Sequence, residues 1–362
     1  MSKKQTAAHG GNIYKKAREL GIPESEILDF SANLSPLGIP EGVKKSMTDA
    51  IEGLINYPDP DCTVLTEDIA AFDGVETNQI FCGNGGADLL FRLALALKPK
   101  SVLLPVPAFV EYEEALKSVD AQVEHFYLKQ DFLIKENLLD VMKPTHDFMV
   151  ICNPNNPTGL LVERQLLLRI LDRAKKLNIT VLVDECFLEI YPGEPDYTLK
   201  GYLNQYPNLL ILKSFTKMYA IPGVRLGYVL CGDEELLYKM KASGQAWSVS
   251  HMAQAAGVAA LKESDYRKET IALIAAENAF LKEELAKLPI VLYEGVANYF
   301  FFRAPGVTDL DKRMEKHGIM IRNCSNYVNL GEDYFRVAVR NREDNVKLID
   351  AMKAELEKTD RN

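Results

Sequence analysis

Short, continuously apolar runs alternate with amphipathic helical stretches through the middle of this chain, and that alternation constrains its fold most. The runs are residues 101–104, 148–152, 180–183, 209–212 and 225–230; helical patterns occupy residues 89–97 and 162–177. Strands apolar on both sides, with helices between them, read as a mainly parallel sheet covered on both faces. The C-terminal third differs. A long charged helical pattern over residues 266–288 precedes strand-like runs at 299–303 and 334–339, which reads as a smaller α/β domain. Turn signals such as Ser35-Pro36-Leu37-Gly38 make the first forty residues an arm. The expected division is an arm at 1–40 packing with the small domain, a large domain at 41–245 and a small one at 246–362.

A chain of 362 residues, 47% hydrophobic and 26% charged, is ordinary globular material and not a disordered segment. Its net charge of −9 argues against a nucleic-acid or anionic-membrane surface, although not against a local cationic pocket. The six cysteines (62, 82, 152, 186, 231 and 324) show neither a C-x-x-C spacing nor a histidine in zinc register. They read as core thiols, and no metal is expected. Nothing apolar follows Lys3-Lys4, and no apolar run is long enough to span a bilayer. A cytoplasmic protein is the expectation.

Three apolar runs end in polar residues that a core does not need. Residues 148–152 lead into Asn153-Pro154-Asn155-Asn156-Pro157-Thr158-Gly159. Residues 180–183 lead into Asp184-Glu185, and 209–212 into Lys213-Ser214-Phe215-Thr216-Lys217. Singly these read as a turn, a helix cap and a solvated lysine. Ligands of open α/β sheets bind at the carboxyl ends of strands, where the three together would present an amide, a carboxylate and an ammonium to one crevice. Residues 79–82 read as another strand, followed by Gly83-Asn84-Gly85-Gly86-Ala87-Asp88 opening a helix. Backbone N–H groups at a helix start suit an anion, and an ordinary turn is the equal alternative. The loop is neither a Walker A sequence nor a dinucleotide fingerprint, because Asp88 stands where the third glycine is needed.

Ser214-x-Thr216-Lys217 with Ile221-Pro222-Gly223-x-Arg225-x-Gly227 resembles the lysine region of fold-type-I pyridoxal-phosphate enzymes of the aminotransferase class I/II group. The Asn153–Gly159 segment and Asp184-Glu185 resemble that group's other signatures, in the same order. The resemblance implies an α/β fold of the aspartate aminotransferase type, a large domain with a mainly parallel seven-stranded sheet plus a smaller C-terminal α/β domain, and pyridoxal 5′-phosphate as cofactor. It implies that Lys217 is joined covalently to the cofactor and that Asp184 pairs with its pyridinium nitrogen. Asn156 would bond the ring oxygen and Phe109 stack on the ring. Ser214, Thr216, Arg225 and the backbone at Gly85, Gly86 and Ala87 would hold the phosphate. Tyr57 would reach the neighbouring subunit's phosphate, so a homodimer is implied. Arg336 would grip a substrate carboxylate through its bidentate fork.

Within the group two subfamilies fit, the threonine-phosphate decarboxylases of cobalamin biosynthesis and the histidinol-phosphate aminotransferases. His9-Gly10-Gly11-Asn12, the run from Leu28 to Gly38, Trp247-Ser248-Val249 and Ile321-Arg322-x-Cys324-x-Asn326-Tyr327 resemble the decarboxylases. Aminotransferases usually place a tyrosine three residues after the aspartate, and here that residue is Phe187. The first expectation is therefore decarboxylation of L-threonine O-3-phosphate; the alternative is transamination of histidinol phosphate. Either small substrate carries a phosphate, for which Arg322, Arg340 and His9 are the candidate cations and Asn33 and Asn298 the neutral donors.

Overall fold

The computed structural model describes residues 10–357. Strand β1 (Leu28–Asp29) precedes a sheet of seven strands. These are β2 (Ile80–Gly83), β3 (Ser101–Val106), β4 (Gln122–Tyr127), β5 (Phe148–Cys152), β6 (Thr180–Asp184), β7 (Leu209–Ser214) and β8 (Gly227–Cys231). They lie in the order β2-β8-β7-β6-β5-β3-β4. Only β8 is reversed, pairing antiparallel with both β7 and β2. The inner strands are apolar throughout because both faces are covered. Met149, Ile151, Val181, Val183 and Ile211 enter one core, while Phe148, Val150, Leu182, Leu210 and Leu212 enter the other.

The helix Arg164–Leu177 shows how the sequence builds the covering layers. It buries Leu166, Leu167, Ile170, Leu171 and Ala174, one stripe at helical spacing, and Asn178 ends it in the left-handed conformation at φ 58°. Expected and observed helix starts differ by two residues, because Glu163 still has extended backbone.

The C-terminal region contains β9 (Val291–Tyr293), β10 (Tyr299–Arg303), β11 (Ile319–Met320), β12 (Arg322–Asn323) and β13 (Tyr334–Ala338). Four of them form an antiparallel sheet in the order β12-β13-β10-β9. The fifth, β11, pairs in parallel with β1, with Leu28 opposite Ile319. The segment before Glu41 is thus fastened to the C-terminal region.

The expected boundary at 245/246 does not coincide with the change of core. Val249, Ala253, Ala256, Ala260 and Ile274 still pack into the core on the main sheet, whereas Leu281 and Leu285 enter the C-terminal one. The change falls inside the helix Ser264–Leu285, which both cores share.

Candidate active site

A cavity of about 900 Å³ opens at the carboxyl ends of β5, β6 and β7. Its walls combine those strand ends, the start of the helix Gly85–Leu97, the segment from Gly10 to Gly38, and arginines of the C-terminal region.

Lys217 projects from the short helix Phe215–Met218, whose N-cap Ser214 accepts a hydrogen bond from the Thr216 N–H at 3.2 Å. Its ammonium lies 5.4 Å from the centre of the Phe187 ring. Burial pushes the Lys217 pKa below the ordinary lysine value; Arg336 and Arg225 push the same way, and Asp184 and Cys186 oppose them. A neutral amine, the nucleophilic form, is correspondingly easier to reach.

Asp184 ends β6 and is buried. Its Oδ2 accepts from the Tyr112 hydroxyl at 2.6 Å and its Oδ1 from the Cys186 N–H at 2.9 Å. A carboxylate has about four acceptor positions, so it retains capacity toward the cavity. Buried against it, the Tyr112 hydroxyl and the Cys152 and Cys186 thiols are all pushed up and stay protonated.

The loop after β5 is braced from within. Asn153 Oδ1 accepts from the Val162 N–H at 2.8 Å, and Asn155 donates to the Pro107 carbonyl and to Thr158 Oγ1. Asn156 then faces the cavity, its Oδ1 accepting from Tyr327 at 3.2 Å and from Arg336 Nη1.

Gly85 has φ +84°, and a Cβ there would press on the Arg225 guanidinium. Glycine therefore lets Arg225 lie across the helix start, where the first N–H groups lack intrahelical partners. Gly86, Ala87, Ser214, Thr216 and Phe109 line the same cavity.

Two further arginines mark the opposite wall. Arg336 on β13 bonds Asn156 and, at 3.1 Å, the Ser31 carbonyl, but its Nε has no partner among the described residues. Arg322 on β12 bonds the Asn323 carbonyl and Asn326 Oδ1. The two are directly opposite in the β12–β13 register, and both are buried. Among the described residues neither has a carboxylate within ion-pair distance. Like charges in cross-strand register repel, so this wall is built for anions.

Other expected residues stand elsewhere. Arg340 lines the cavity but is paired with Asp344 at 2.9 Å. Asn33 lines it with an unpartnered Oδ1. Asn298 does not; it is fully buried beside Tyr299, with neither side-chain polar atom partnered. Tyr57 is 81% exposed, away from its own chain's cavity, and stacks on Trp247 with ring centres 4.7 Å apart. His9 lies outside the described residues. Tyr112 and Ser31 were not among the expected site residues. Tyr112 sits one helical turn after Phe109, the only trace it leaves in sequence.

A model of the family described as aminotransferase class I and II matches residues 25–352. The chain belongs to that family. A threonine-phosphate decarboxylase of Salmonella typhimurium is 37% identical over 96% of each chain. Among solved structures, the histidinol-phosphate aminotransferase of Clostridium acetobutylicum superposes with TM-score 0.87 at 29% identity, covering 92% of this chain and 100% of that one. The L-threonine-O-3-phosphate decarboxylase of Porphyromonas gingivalis gives 0.82 at 25%, covering 91% and 100%.

The family's cofactor is pyridoxal 5′-phosphate, and the residues present fit it. A carboxylate with spare acceptor capacity, a primary amine of lowered pKa, and a cation laid across a glycine-opened helix start match its pyridinium nitrogen, aldehyde and phosphate. Among the described residues no cluster suits a metal ion, and no helix is long and apolar enough to cross a membrane.

Proposed function

We propose that the chain decarboxylates L-threonine O-3-phosphate to (R)-1-amino-2-propanol O-phosphate, as a pyridoxal-phosphate-dependent lyase of cobalamin biosynthesis. The observation that carries this reading is the cross-strand pair Arg322–Arg336, two buried guanidinium groups without a carboxylate between them. A substrate holding both a carboxylate and a phosphate neutralises both. Histidinol phosphate has a phosphate and no carboxylate and leaves one guanidinium uncompensated; in transamination only the keto acid, a dicarboxylate, would fill both. The similarity to the Salmonella decarboxylase along 96% of both chains supports the same choice.

In this reading Arg336 takes the α-carboxylate in its fork, with Asn156 and the Ser31 carbonyl fixing the guanidinium plane. Arg322 takes the substrate phosphate, with Asn33 and Arg340 at its side. Two charged anchors fix the orientation of the bonds at Cα. When bound, the cofactor supplies an electron sink for the pair left at Cα, its protonated ring nitrogen held by Asp184. The Cα–carboxylate bond breaks and carbon dioxide leaves Arg336, and a Cα–H bond replaces it with a proton from Lys217 in its ammonium form or from water.

The assembly belongs to the same proposal. Ile55 is 88% exposed, and Ile51, Leu54, Tyr57, Val64 and Trp247 are exposed near it in sequence or by stacking. A second copy of this chain covers that face and receives Tyr57 at its cofactor site. Six free thiols and an acidic surface suit a reducing cytoplasm.

Phosphorus NMR tests the activity. Protein, pyridoxal phosphate and L-threonine O-3-phosphate, without any keto acid, should give many turnovers of aminopropanol phosphate. Turnover of histidinol phosphate that depends on 2-oxoglutarate, with none of threonine phosphate, would transfer the assignment to the aminotransferase.

A further inference from the structure

Arg92 lies on the helix Gly85–Leu97, away from the cavity, and is buried. Its Nε donates to both carboxylate oxygens of Asp88, at 3.1 and 3.0 Å. Asp88 Oδ2 in turn accepts from the Asn84 N–H at 3.0 Å, in the turn that opens the helix. The other end of the guanidinium points to a different part of the chain. Nη1 donates to the Lys241 carbonyl at 3.4 Å and Nη2 to the Gln245 carbonyl at 3.0 Å. Ser243 Oγ closes the contact by donating to the Arg92 carbonyl at 3.0 Å. A side chain on Gly244 would run into the guanidinium.

Two residues beyond Gln245 stands Trp247, stacked on Tyr57. The two segments are tied again by Lys241 to Asp61 and by Gln254 to the Asp59 carbonyl. One guanidinium therefore links the glycine loop to the segment that seats the exposed aromatic pair. A methionine or leucine of similar size would satisfy the packing, whereas this group spends its donors on one carboxylate and two carbonyls.

We infer that Arg92, through Asp88, is a positioning residue for phosphate binding at the glycine loop and couples that loop to the Tyr57–Trp247 pair. This rests on the reading of the backbone at Gly85–Ala87 as the cofactor's phosphate cradle. Holding Asp88 on Arg92 keeps its charge against the Asn84 N–H and away from the incoming phosphate. Releasing it places a free carboxylate at the mouth of an anion site.

The chain has a single tryptophan, Trp247, which reports on the far end of the link. The full-length protein is titrated with pyridoxal 5′-phosphate and, separately, with pyridoxal, following Trp247 emission and its quenching by acrylamide. Wild type should bind the phosphorylated form much more tightly. Arg92→Met should lower that preference roughly tenfold, the scale of one lost charge-assisted contact, with pyridoxal affinity unchanged. Gly244→Ala, which touches neither the loop nor Asp88, should lower it in the same direction and change Trp247 quenching. Arg92→Lys, which keeps the charge but not the fork, should restore part of the preference. Variants that keep the wild-type preference and quenching overturn the inference. A wild type that binds both compounds equally overturns the phosphate-cradle reading itself, a result the variants cannot mimic.

Discussion

At the residue scale, Lys217 and Phe187 form a pair whose behaviour follows from their contact. Burial lowers the Lys217 pKa, so protons bind it more weakly in the folded chain than in the unfolded one. The sign is then fixed: the cost of burying the ammonium is present below the depressed value and fades as pH rises toward the ordinary lysine value of 10.5. Covalent capture of pyridoxal phosphate, followed by absorbance, should rise with pH with a midpoint below 10.5. The Phe187 ring face favours the charged form of the same group. Phe187→Leu should therefore move the midpoint further down, by roughly half a pH unit. A midpoint that stays put would mean that the ring only packs against Tyr299, which it meets edge to face. Arg322 allows a separate test. Arg322→Met should reduce kcat/KM for threonine phosphate by about 100-fold or more, while Arg340→Met, whose charge is already paired, should cost about tenfold or less.

At the element scale, the strand ends that carry the site are tied together on their other face. Glu185 follows Asp184 and Lys213 precedes Ser214, and both point away from the cavity. Lys213 Nζ lies 3.2 Å from Glu185 Oε2, and the same carboxylate accepts from Thr198 Oγ1 and the Leu199 N–H. Both charges are buried. Lys213→Met leaves Glu185 uncompensated and should destabilise the protein by about 3–5 kcal/mol in urea unfolding. Lys213→Met combined with Glu185→Leu should recover much of that loss, because neither charge is then stranded. Burial on both faces explains what could be read in advance. An apolar run that ends in Asn153, Asp184 or Lys213–Lys217 announces a buried strand with polar groups gathered at its tip. Strand β4 carried no such signal, because this edge strand alternates exposed and half-buried residues and contains Glu124 and His125. The reversal of β8 also left no trace, since a buried strand reads the same in either direction. Asn298 is buried and does not line the cavity: nothing local in the sequence distinguishes an asparagine facing a cavity from one that is simply buried.

At the scale of the whole molecule, the proposed assembly makes the exposed apolar residues around Ile55 and Tyr57 the determinant of the association state. Ile55→Asp should yield a monomer in sedimentation velocity and weaken cofactor retention together with association. A dimer that survives this substitution would place the interface elsewhere. The change of core inside one helix left no mark in the sequence. Residues of one amphipathic helix, Ile274 and Leu281, serve different cores, and a periodic pattern shows which face is buried without showing against what.

The pairing of β1 with β11 sets an order of events during synthesis. Leu28 emerges from the ribosome early and has no partner until Ile319 follows it. Until then the cavity wall from Gly10 to Gly38 lacks this strand pairing and is held by contacts such as the Ser35 N–H to the Lys217 carbonyl and the Tyr266 hydroxyl to the Gly38 carbonyl, and Arg322 and Arg336 follow β11 in the chain. The large sheet can close on its own strands long before then. Cofactor loading should therefore follow synthesis of β11–β13, and a truncation that stops short of β11 should leave a folded sheet without a working site.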